Sequence, residues 1–137
     1  MAFFVGISLA LLIGLSMSFI GLDRDRAFYP TVMIVIAFYY ALFAVTGGSL
    51  AVLALEAVPI TVFVVASVAG FKSSLWLVVA ALVAHGVYDI SHDLLFFNAG
   101  VPAWWPNFCL GYDVVAGLYL AWLLNTNRVG ARALTTA

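Results

Sequence analysis

Charge is what this sequence has least of: 8% of its 137 residues are Asp, Glu, Lys or Arg, against about 25% in a soluble domain. Hydrophobic residues make up 66%, and a chain this short has too little interior to hide them from water. A mean hydropathy of +1.20 therefore excludes a soluble fold and points to lipid as the solvent. The five basic residues are scattered, so the positive stripe that phosphate backbones require is missing and nucleic acid is excluded as a partner. One cysteine, Cys109, rules out an internal disulfide and any CxxC metal or redox motif. The N-terminus lacks the basic region and small-residue cleavage site of a secretory signal, so its apolar run is expected to stay as a first membrane span.

What is present is apolar sequence in lengths near the roughly 20 residues that cross a bilayer. The expected fold is an all-α integral membrane protein, one transmembrane domain over residues 1–137, with five spanning helices. Their expected bounds are about 2–20, 30–45, 50–69, 74–97 and 107–124. Pro30 suits a first helical turn, Pro59 is expected to kink the third helix beside Glu56, and Gly70 to end it. Between helices four and five, Gly100, Pro102 and Pro106 read as a loop, with Trp104 and Trp105 at headgroup level. No repeat of fixed period is visible. With five spans, Arg24, Arg26, Lys72, Arg128 and Arg132 fall on one side and no Lys or Arg on the other. That bias predicts an external N-terminus and a cytoplasmic C-terminus, in a plasma membrane or bacterial inner membrane. The DRDR segment, residues 23–26, reads as a solvated turn.

The ionisable residues that do enter the spans are concentrated. His85, Asp89, His92 and Asp93 lie at i, i+4, i+7 and i+8 within HGVYDISHD, the spacing of one helical face. Counting at 1.5 Å per residue puts Glu56, Asp89 and Asp113 all roughly 10 Å below the external surface. Tyr39, Tyr40, Cys109 and Tyr112 fall in the same half, and Tyr88, at i+3, borders the helix-four stripe. No Lys or Arg lies between the spans' ends to compensate the carboxylates, so protons, imidazolium or a bound cation must do so.

Two imidazoles with carboxylates form a nitrogen and oxygen donor set suited to zinc, iron or manganese. The candidate metal ligands are His85, Asp89, His92, Asp93, Glu56 and Asp113. His85 and His92 are two turns apart, about 10.5 Å, so Asp89 with one of them is the better local pair, completed by Glu56 or Asp113. Asp89, Glu56 and Asp113 are the candidate catalytic carboxylates, and Tyr39, Tyr40, Tyr88, Tyr112, Trp104 and Trp105 the candidate binding aromatics. Such a pocket, facing outward, would activate water for chemistry on a lipid-like substrate. A second class of function uses the same residues as a proton- or cation-coupled relay. Helix four is wholly apolar from Trp76 to Ala84, so a relay predicts a homo-oligomer that completes the path. A third class is an accessory subunit whose polar groups only join helices. Cys109 reads as a packing residue and Trp104 and Trp105 as an interfacial anchor.

Overall fold

The computed structural model describes residues 1–130, so Arg132 lies outside the described residues. Five α-helices run α1 Ala2–Ile20, α2 Phe28–Thr46, α3 Leu50–Lys72, α4 Trp76–Leu95 and α5 Trp105–Asn125, with a short 3-10 turn at Leu22–Arg24 after α1. The described residues contain no strand. All five helices are long and apolar enough to cross a membrane. The outer faces carry the apolar side chains, with Phe19 93%, Leu94 86% and Phe4 69% exposed, an arrangement that only a lipid surround makes favourable.

Local chemistry fixes most of the boundaries. Gly21 ends α1 in the left-handed region at φ 89° and donates its amide to Met17 O, the usual way a helix disposes of its last carbonyls. Ser49 caps α3 by accepting from the Val52 amide, which satisfies one of the helix's free donors. Pro106 lies in the first turn of α5, where a missing N–H costs nothing. Expected bounds shift by one to three residues in four helices, and the fourth runs Trp76–Leu95 instead of about 74–97. The second helix starts at Phe28, two residues before Pro30. The third passes Gly70 and runs on to Lys72. There glycine is a packing device, since a Cβ on it would stand 2.6 Å from the Val78 side chain. The fifth takes in Trp105.

Around the bundle the neighbours are α1 on α5, α5 on α4, α4 on α3 and α3 on α2, and α2 also touches α4. Helix α4 is thus central, flanked by α5, α3 and α2, while α1 rests mainly on α5. The α1–α5 seam is close enough to bring backbones together. A Cβ on Gly6 would lie 2.1 Å from Phe108 O, and one on Gly111 2.3 Å from Phe3 O. Small residues at such crossings are how membrane helices gain contact area without a hydrophobic drive.

The interior divides along its length. Toward the end bearing Arg24 and Arg26, the Arg end, it is mainly apolar: Met33, Val78, Leu82, Leu120 and Leu123 are 1% exposed or less. Toward the end bearing Trp104 and Trp105, the Trp end, it is polar. The DRDR segment corrects the expectation of a solvated turn. Asp23 is 3% exposed and accepts a hydrogen bond from Ser18, whose hydroxyl also meets Tyr119. Arg26 donates to the carbonyls of Gly70, Phe71 and Ser73, capping the C-terminus of α3.

Candidate metal centre

Three donor groups converge between α4 and α5. His85 and Asp89 are one turn apart on α4, and Asp113 faces them from α5; one ligand atom from each lies within 4.8 Å of the others. All three residues are 1% exposed or less. Gly86 sits at this crossing, where a Cβ would make ordinary contact with Asp113 Cβ at 3.4 Å. His85 Nδ1 lies 2.8 Å from Asp113 Oδ2 and 3.2 Å from Asp89 Oδ2. A ring nitrogen carries at most one proton, and the shorter contact takes it. Asp89 Oδ2 and Asp113 Oδ1 are left buried with no hydrogen-bond partner among the described residues. The other Asp89 oxygen accepts from Tyr40 Oη at 2.6 Å.

A second polar group lies beside the first, toward the Trp end. Glu56 of α3 accepts from His92 Nε2 at 2.8 Å, from Asn98 Nδ2 at 2.8 Å and from Tyr88 Oη at 3.2 Å. His92 Nδ1 stands 3.4 Å from Asp93 Oδ1, whose side chain is 68% exposed. Tyr40 bridges the two groups, its hydroxyl on Asp89 and its ring stacked on His92 at 4.5 Å. The void between Tyr40, Glu56 and His85 leaves no room for a water molecule.

Magnitudes separate the two groups. A charged side chain at mid-membrane costs about 2.5–3.5 kcal/mol on insertion scales, and an interhelical hydrogen bond offsets about 0.6 kcal/mol on average. Glu56, whose three donors together offset about 1.8 kcal/mol, recovers more than half of its cost and ties α3 to α4 and to the α4–α5 loop. Asp89 and Asp113, each with an oxygen left bare, do not, and packing alone gives no reason for them to be there.

A cleft of about 560 Å³ runs between α1 and α2 with α5 as its floor. Its wall near the Trp end holds Tyr39, Trp105, Cys109, Tyr112 and Asp113, and the remainder is almost wholly apolar, from Leu9, Ile13 and Met17 of α1 to Phe28, Val32 and Ile36 of α2. Asp113 belongs both to this wall and to the three-donor group.

Of the residues singled out from the sequence, the fold brings His85, Asp89 and Asp113 together, and holds Glu56 and His92 in the neighbouring group with Asp93 at its exposed edge. Tyr40 and Tyr88 serve those two groups by hydrogen bonds, while Tyr39, Tyr112 and Trp105 line the cleft. Trp104 is 53% exposed. Asn98 was missed: it reads as a loop residue, yet it is 2% exposed. The available signal is Gly100 two residues on, whose amide holds Asn98 Oδ1 at 3.1 Å, an Asx turn that leaves the amide group free to reach Glu56. No protein-family model, no curated protein and no solved structure matches this chain.

Proposed function

We propose that this chain is an intramembrane enzyme that holds a divalent metal at His85, Asp89 and Asp113 and acts on a lipid-like substrate. The observation that carries the reading is the double position of Asp113, one of three converging donors and also part of the wall of a cleft between membrane-spanning helices. Three protein ligands is the count found in catalytic metal sites, and one imidazole with two carboxylates suits zinc, iron or manganese. Charge favours the same reading. A divalent ion with neutral His85 and two carboxylates sums to zero, whereas imidazolium alone leaves a buried net negative charge.

When bound, the metal supplies Lewis acidity and a water that ionises near neutral pH. The chain's own groups do the rest. Tyr40 orients Asp89, and the Glu56–His92–Asn98 group braces α4 from the α3 side. With a metal bound, His85 would offer its Nδ1 lone pair and hold its proton on Nε2. Elemental analysis of protein purified without chelators, beside His85→Ala, Asp89→Ala and Asp113→Ala, tests this. Near-stoichiometric zinc, iron or manganese in the wild type, lost in all three variants, is expected; its absence from the wild type sinks the reading.

A second reading, proton- or cation-coupled transport, draws on one observation: the buried Asp23–Ser18–Tyr119 group supplies polar atoms at the Arg end. It expects flux in liposomes that falls in Asp23→Asn and in Asp89→Asn alike.

A further inference from the structure

The α1–α2 cleft is polarised along its length. Every α1 residue in its wall is apolar, and apart from the Thr31 hydroxyl, which is bonded to Ala27 O, its polar side chains gather near the Trp end, around Asp113. Two residues of that wall carry buried polar atoms without a partner, the acceptor Asp113 Oδ1 and the donor Trp105 Nε1. We infer that the cleft receives a single-chain amphiphile, its hydrogen-bond-donating head at Asp113 Oδ1 and its chain lying along Leu9, Ile13 and Met17 toward the Arg end. This names the substrate class of the proposed enzyme and rests on that reading for its catalytic meaning.

Three features set the class. The opening lies between two helices that face lipid, so the occupant enters sideways from the bilayer. The volume, about 560 Å³, falls in the range of about 300–1,000 Å³ typical of small-molecule sites, which fits one chain and leaves no place for the second chain of a phospholipid. The bare carboxylate oxygen selects a head that donates, because a head that only accepts could pair with Trp105 Nε1 but would leave that oxygen bare in a low-dielectric space. A lipid of the Trp-end leaflet already has this orientation, head at the surface and chain toward the midplane.

The test reads binding in metal-stripped protein, so that it stands apart from the metal assay. Trp105 lines the cleft, and the variant Trp76→Phe/Trp104→Phe/Trp122→Phe leaves it as the one fluorophore of its kind. In phosphatidylcholine nanodiscs, brominated octadecanol is expected to quench Trp105 saturably, and plain octadecanol to relieve the quenching. Octadecyl methyl ether, which has no donor, should compete about tenfold or more less well. Filling the cleft with Ile13→Phe/Val35→Phe should weaken the alcohol by a similar factor. Quenching that rises linearly with mole fraction, or an ether that competes as well as the alcohol, overturns the inference. Metal loading without saturable quenching would refute this inference alone; saturable, alcohol-selective quenching without metal would uphold it and refute the metal reading.

Discussion

Tyr40 touches both polar groups at once, which makes it the residue where their roles separate most clearly. Tyr40→Phe keeps the ring on His92 and removes only the donor to Asp89. Loss of such an orienting contact typically costs 10–100-fold in metal affinity, about that much being expected here in a chelator competition, with the helical signal unchanged. Glu56→Gln is expected to do the reverse. It turns one acceptor oxygen into a donor facing other donors, lowering stability by about 1–3 kcal/mol in thermal unfolding while leaving metal stoichiometry intact. If Glu56→Gln empties the metal site instead, Glu56 is a ligand. Acid should also empty it, because ions and protons compete for the same lone pairs. Loading after dialysis at about pH 5 is expected to fall below that at about pH 7.5. The stripe His85, Asp89, His92 was legible from spacing alone, as was the pairing of Asp89 with one histidine. The choice of Asp113 over Glu56 as its partner was not. Counting residues gives depth, and these two acids lie at similar depth; which side of α4 each meets depends on helix order around the bundle. Asn98 was hidden for a related reason, since loop composition reports turn chemistry and not the direction an amide takes.

At the scale of elements, five spans were legible because each carries its own apolar length, a property that needs no partner. Their ends were less so. Gly70 carries the sequence signature of a stop, but glycine answers equally to close packing, and only the position of Val78 decides between the two. The seam of α1 on α5 shows the same duality at Gly6 and Gly111. Gly111→Val places branched carbon where Phe3 O already stands at 2.3 Å from an ideal Cβ. Overpacking of this kind costs about 1–3 kcal/mol or more, and a lowered melting temperature in detergent is expected. Leu118→Val, on a side chain that is 60% exposed to lipid, should melt close to wild type. Equal effects of the two would mean that the seam contributes nothing.

For the molecule as a whole, the basic residues come together at one end. Gly130 donates its amide to Arg24 O, and Arg26 reaches Ser73 O, so the segments bearing Arg24, Arg26, Lys72 and Arg128 meet at the Arg end. We propose that this end faces the cytoplasm, following the bias of basic residues toward that side. On a Cys109→Ser background, Ala2→Cys is expected to react with an impermeant maleimide in intact cells and Ser73→Cys only after lysis. The reverse pattern would invert the orientation.

The order of neighbours also has a consequence in time. The partner of α1 is α5, and Trp105 follows Ile20 by 85 residues. At synthesis rates of about 5–20 residues per second, α1 waits roughly four to seventeen seconds before the helix it packs against begins to be made. It must therefore be at home in lipid by itself. Its hydropathy of 2.3 and its lack of any ionisable side chain meet that need, whereas α4, with a hydropathy of 1.2, arrives when α2 and α3 are already there to receive its polar face. A helix as apolar as any in the bundle waits longest for its partner, and the one that carries most of the buried polar groups is delivered into company.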